Sequence, residues 1–151
     1  MRGLAAFPAY LADSAARAAR GGIAWGIDDC AMEAATWWMA ATGIDIAAGW
    51  RGRYGSGDDV RAMMRGEPGG FVGAMRRHLA AAGLTATDAP EPGDIAIVKA
   101  PRLVGERVRW LATGGVMVPT GRWRLRQEGG FVTGPFPVIA AWSLAAFTGG
   151  R

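Results

Sequence analysis

The chain has one cysteine, one histidine and one lysine among its 151 residues. A lone cysteine, Cys30, excludes an internal disulfide framework and a Cys-rich zinc site. The one histidine is His78, so no histidine is available anywhere after Gly93. No run of about 18 uncharged apolar residues occurs, so no membrane span is expected. The first 22 residues lack a continuous hydrophobic segment and contain Asp13, and they do not read as a signal peptide. The expected product is cytoplasmic, or carried outward by a larger particle. Seventeen basic residues stand against 13 acidic ones, a net charge of +4. The arginines are scattered and no nucleic-acid motif accompanies them, so nucleic acid is not an expected partner. The glycine pairs carry no phosphate-loop pattern, and neither a cofactor nor a metal is expected.

Half the residues are apolar, enough for one domain with a sizeable core, taken as residues 1–151. The first half reads as helices. Leu4, Phe7, Leu11 and Ala15 recur at helical spacing before the Gly21-Gly22 stop. A second helix begins near Asp29 and ends at Thr42-Gly43. A third, capped by Ser56 or Asp58, runs to Met64, and a fourth covers Gly69 to Ala82 with Phe71, Met75 and Leu79 on one face. After the turn chemistry of Pro90 to Asp94, short strands are expected. They are Ile95–Lys99, Val104–Ala112, Gly115–Val118, Trp123–Arg126, Phe131–Thr133 and Val138–Trp142. Gly114-Gly115 and Gly129-Gly130 read as hairpin turns. Helices first and an antiparallel sheet second is an α+β arrangement.

Trp25-Gly26-Ile27-Asp28-Asp29-Cys30 places the cysteine at the first turn of a helix. The positive end of a helix dipole favours a thiolate, which makes Cys30 a candidate nucleophile. Cysteine is equally a small hydrophobe, and a core role for Cys30 is the alternative. Asp28 and Asp29 could orient a substrate amine or bind a cation. Capping the helix is the favoured role, since two adjacent carboxylates without further ligands make no metal site.

These residues carry a family resemblance. Ala24 to Cys30 is followed by Ala35-Thr36-Trp37, Thr42-Gly43-Ile44-Asp45 and Arg51-Gly52-Arg53-Tyr54. His78 and Gly83, Pro92-Gly93-Asp94-Ile95-Ala96 and Ala140-Ala141-Trp142 complete the order. The chain resembles the papain-like NlpC/P60 cell-wall peptidases. It is most similar to a phage- and prophage-associated branch, the DUF6950-type family, over residues 7 to 144. The resemblance implies a papain-like fold with N-terminal helices packed on a C-terminal antiparallel sheet. It also implies a setting among phage tail or gene-transfer-particle genes, where relatives sit at the tail tip and often cut peptidoglycan.

A papain-like hydrolase needs a thiolate, a histidine and a polar residue to orient the imidazole. The NlpC/P60 histidine lies on the sheet after the Gly-Asp strand. The corresponding stretch here is Leu111-Ala112-Thr113-Gly114-Gly115-Val116, which puts Thr113 near the histidine position. Threonine is no general base near neutral pH, and that base is worth about 10²–10⁴-fold. His78, on a helix beside Arg76 and Arg77, is the weak candidate for a rewired base; a half-buried helix residue is its plainer role.

Seven tryptophans are many for this length. Trp25, Trp37 and Trp142 are expected in the core. Trp50, Arg51, Arg53, Tyr54 and Trp123 are the candidate interface residues, because Trp and Arg anchor protein interfaces. Arg122, Arg124 and Arg126 alternate and would share a solvated strand face. The expected function is a structural or adaptor component of a phage or phage-like tail tip that has lost catalysis. Its partners would be other tail or baseplate proteins, or a second copy of itself. The alternative is an active cysteine peptidase or amidase on peptidoglycan, with Cys30 as nucleophile.

Overall fold

A computed structural model describes residues 1–149; the last two residues of the expected domain lie outside it. A 3-10 turn, Gly3–Ala6, leads into helix α1, Phe7–Arg20, with Pro8 in its first turn. Helix α2 is Cys30–Thr42, α3 is Gly57–Met64 and α4 is Gly70–Ala81. The strands are β1, Thr85–Thr87; β2, Ile95–Val104; β3, Arg107–Met117; β4, Trp123–Gln127; β5, Gly130–Gly134; and β6, Val138–Ser143. They form one antiparallel sheet in the order β1-β6-β2-β3-β4-β5. The α+β arrangement with helices first is as expected.

Helix α2 is the axis of the core. Met32, Ala34, Ala35, Trp37, Trp38 and Ala41 are buried around most of its circumference, the pattern of a helix enclosed by its neighbours. Asp29 caps its start, and Gly43, at φ +82°, ends it by sending its N–H to the Met39 carbonyl. Phe7 stacks on Trp37 with ring centroids 3.9 Å apart, so α1 packs across α2.

Both faces of the sheet's centre are buried. Ile95, Ile97, Val116 and Trp142 meet the helices. Ala96, Val98, Ala100 and Met117 face the other way and are covered by Trp123 and Leu125 of β4, with Val132 and Phe136 against them. The Gly93-Asp94 turn locks this layout. The Gly93 carbonyl accepts from Trp37 Nε1 at 2.7 Å. The buried Asp94 carboxylate accepts from the N–H of Glu91 and of Leu144, both at 2.8 Å, tying the start of β2 to the chain after β6.

Two strand expectations need correction, and one strand was not expected. Ala100 to Leu103 continue β2 rather than forming a loop, because the turn falls at Gly105-Glu106. Gly114-Gly115 is not a hairpin turn; both residues lie inside β3, paired with Ile97 and Ala96. The short edge strand β1, paired with β6, had no sequence signal of its own.

Candidate functional site around Cys30

The turn before α2 is tightly held. Gly26, at φ +78°, sits so close to the Tyr54 carbonyl that a Cβ there would stand 2.6 Å from it. Asp29 is almost wholly buried and uses both carboxylate oxygens. Oδ1 accepts from the Met32 N–H at 3.0 Å; Oδ2 accepts from the Gly26 N–H at 2.8 Å and the Tyr54 hydroxyl at 2.7 Å. Burial and the bond to Asp29 push the Tyr54 phenol far above its ordinary range. Asp29 is therefore a cap and a turn anchor, as expected.

Cys30 is half-buried at the first position of α2. It lines a cavity of about 310 Å³, with Trp25, Tyr54, Phe71, Arg102 and Ala112 among the walls. Burial pushes its thiol above the ordinary value. The N–H groups of Gly114 and Ala31 and the Arg102 guanidinium favour the thiolate, and the Asp29 carboxylate opposes it. The sequence argument that a helix start lowers this thiol is thus corrected. The dipole acts, but withdrawal from water outweighs it.

Strand β3 passes directly over the start of α2. A Cβ on Gly114 would lie 2.6 Å from the Cys30 carbonyl oxygen, so only glycine fits without a shift. Side chains alternate along a strand, and β3 is regularly paired from Arg107 to Val116. The face toward Cys30 therefore carries Ala112, Gly114 and Val116. Thr113 belongs to the opposite face, buried, with its hydroxyl donating to the Leu111 carbonyl at 3.2 Å. The expectation that Thr113 stands in the place of a catalytic histidine is corrected by this parity. The positions that face the sulfur are alanine and glycine, and neither takes a proton.

His78 is on α4, half-buried against Trp50, with ring centroids 5.0 Å apart. Its Nε2–H donates to the Ile46 carbonyl at 2.6 Å. It lines a separate cavity of about 60 Å³; Ala31, Trp50 and Phe71 form the wall common to both. Cys30 and His78 do not share a cavity. Among the described residues no group of three His, Cys, Asp or Glu side chains is placed to hold a metal ion.

The expected interface residues scatter. Tyr54 and Trp123 are buried, Tyr54 under the α2 turn and Trp123 on the far face of the sheet. Arg51 is half-buried and gripped by Asp45, at 2.7 and 3.1 Å, which holds the Asp45 carboxyl below its ordinary range. Trp50 is half-buried between the two cavities. Only Arg53 is exposed.

The arginines of β4 also depart from expectation. Arg122 precedes the strand and is exposed, whereas Arg126 is fully buried and Arg124 is half-buried. Helices α1 and α2 cover their face, and a charge network replaces solvent. Arg126 bonds both oxygens of Asp28, at 3.1 and 3.2 Å. Arg17 joins Asp28 to Glu33, each at 2.9 Å. Glu33 also accepts from the Tyr10 hydroxyl at 2.6 Å, and Arg124 reaches Ser14 at 2.8 Å and lies 3.5 Å from the Phe131 ring centre. The sequence signal was present in Asp28 and Glu33 near the start of α2, but their β4 partners, Arg126 and Arg124, lie about ninety to a hundred residues away.

Residues 2–144 match the family described as a domain of unknown function, DUF6950. The chain belongs to the DUF6950 family. That match spans the Cys30 turn, the Gly93-Asp94 turn and the end of β6, the segments that build the site. No curated protein and no solved structure matches the chain.

Proposed function

We propose that this DUF6950 chain is a structural or adaptor component of a phage or phage-like tail tip, built on a papain-like NlpC/P60 scaffold that has lost catalysis. A cysteine at a helix start, packed against an antiparallel sheet whose central strand β2 begins at a Gly-Asp turn, is in keeping with that scaffold. One observation carries the loss of catalysis. The β3 positions facing Cys30 are Ala112 and Gly114, and the one histidine is bonded to the Ile46 carbonyl beside another cavity. A thiol raised by burial and lacking a base is a poor nucleophile. The partners of such a component are other tail or baseplate proteins, or a second copy of the chain, and its place is the virion tail.

The cavity beside Cys30 favours a second reading, a cysteine peptidase or amidase acting on peptidoglycan peptides with a base supplied by a partner. Alkylation of Cys30 across pH separates the two, and the lone thiol removes any assignment problem. The structural reading expects a midpoint above the ordinary thiol value of 9.0 and slow labelling without denaturant. Stability should follow with the matching sign. The folded thiol ionises above the unfolded one, so its contribution is full below about pH 9 and is lost as pH rises. A midpoint well below the usual thiol value of about 8.5, with fast labelling, would mean an activated thiolate, and peptidoglycan cleavage abolished by Cys30→Ala would establish the enzyme instead.

A further inference from the structure

Beyond the body of the sheet, β2 and β3 continue alone as a two-stranded arm. β2 pairs with β6 only over Ile95 to Val98, and β3 pairs with β4 only at Val116 and Met117. The two strands remain paired with each other out to Val104 and Arg107. Gly105, at φ +62°, and Glu106 close the arm in a two-residue turn, which needs glycine at its first position.

Register sorts the arm's side chains. Leu103 lies opposite Val108 and Pro101 opposite Trp110, so all four share one face. Leu103, Val108 and Trp110 are 69%, 65% and 59% exposed. The other face sets Arg102 directly opposite Arg109, with Arg107 beyond. Like charges placed so repel. Among the described residues none of these three arginines forms an ion pair.

The arm's two edges differ as well. Met117 bonds Asp94 and Gly93 on the β2 side, and the Val118 N–H bonds Arg122 on the β4 side. Alternation along the strand then turns the N–H and C=O of Val108, Trp110 and Ala112 outward, into the space that β4 leaves. These groups have no partner among the described residues. On the opposite edge the Lys99 N–H bonds the Pro137 carbonyl, and the next outward position is Pro101, which has no N–H. One edge is blunted and the other is open.

We propose that the outer edge of β3, Val108 to Ala112, accepts an extended strand from a partner protein in which apolar and acidic residues alternate. Such a strand completes the backbone ladder. Its apolar residues, opposite Val108, Trp110 and Ala112, lie on the face with Leu103. Its intervening carboxylates lie on the face of Arg107 and Arg109. A lipid surface fits less well, because hydrocarbon would bury the open edge without partners and the turn carries Glu106. A second arm of this chain would bring the same arginines and repel. The inference names the partner chemistry for the adaptor reading and rests on it. Cys30 labelling reads the thiol of the unliganded chain and the peptide titration reads the arm's amides with Cys30 unlabelled, so the two fail separately.

The test titrates the isotope-labelled full chain with a blocked synthetic peptide of alternating valine and glutamate, and with its valine-lysine counterpart. Saturable shifts are expected at the amides of Val108, Trp110 and Ala112, with slower hydrogen exchange there. The glutamate peptide should bind about tenfold tighter than the lysine one. Arg107→Glu with Arg109→Glu should invert that preference. Val108→Pro, which removes one outward N–H and leaves the β2–β3 ladder intact, should weaken binding by about tenfold or more. Absent saturation, equal affinity for the two peptides, or shifts confined to other parts of the chain would overturn the proposal. So would phosphatidylglycerol vesicles that shift these amides where the peptide does not.

Discussion

Replacing Arg126 by methionine tests whether the buried charge network holds α1, α2 and β4 together. The guanidinium is fully buried and bonds both oxygens of Asp28, the Gln127 carbonyl at 2.5 Å and the Gly130 carbonyl at 3.1 Å. It also reaches the carbonyls of Gly21 and Gly22, both at 3.3 Å, and so pins the chain between α1 and α2 to the end of β4. Methionine keeps a long apolar stem and supplies no donor. Removing one side of a buried pair costs about 3–5 kcal/mol. Asp28 keeps Arg17 at 2.9 Å, so the lower end of that range, about 3 kcal/mol, applies here. A domain of this size loses about 2–4 °C of melting temperature per kcal/mol, which gives a fall of about 6–12 °C. Urea unfolding followed by tryptophan fluorescence measures the free energy. Asp28→Asn in the same chain should make the double variant less destabilised than the sum of the singles, by about 1–3 kcal/mol. A single variant within about 0.5 kcal/mol of the parent, or additive singles, would refute a network that acts as a unit.

Other outcomes follow from the same geometry. Gly114→Ala pushes a Cβ to within 2.6 Å of the Cys30 carbonyl and should cost about 1–3 kcal/mol. Gly115→Ala meets only the tip of Leu125 and should cost less; equal or reversed costs in urea unfolding would count against the close approach of β3 to α2. Tyr54→Phe removes one of three donors from the buried Asp29 carboxylate, with an expected loss of about 1.5–3 kcal/mol, and an unchanged midpoint would show that bond to be dispensable. Arg51 holds the Asp45 carboxyl below its ordinary value of 3.8. Its contribution is therefore present above that value and lost as pH falls through the folded one. Asp45→Asn should flatten the acid limb of stability against pH, and a limb of unaltered steepness would remove Asp45 from the account.

Elements set by local rules were legible in the sequence. The helical spacing ahead of Gly21-Gly22 marks α1, although Leu4 precedes it in the 3-10 turn and is exposed and the face it buries is Phe7, Tyr10 and Ser14; Asp29 before a run of apolar residues marks the cap of α2, because both depend on neighbours within a few positions. The single histidine could also be seen to lie outside the strand region from composition alone. Strand boundaries were harder. The gap read between Lys99 and Val104 contains Pro101, which cannot donate to a ladder, but its missing N–H points to the outer edge of β2, where no ladder bond was needed. Gly114-Gly115 read as a turn because glycine favours turns, whereas these two glycines are explained by what crosses above and below them.

What the sequence alone determined is that the helices precede the main strands, where the helix caps fall, and that a lone cysteine stands at a helix start, since each follows from chain-local geometry and residue chemistry. Tertiary structure alone decided the rest. It raised the thiol by burying it, placed Thr113 on the face away from Cys30, and turned Arg124 and Arg126 inward to Ser14 and Asp28. Those outcomes depend on solvent exclusion and on partners far apart in the chain, and neither is written in the spacing of neighbouring residues.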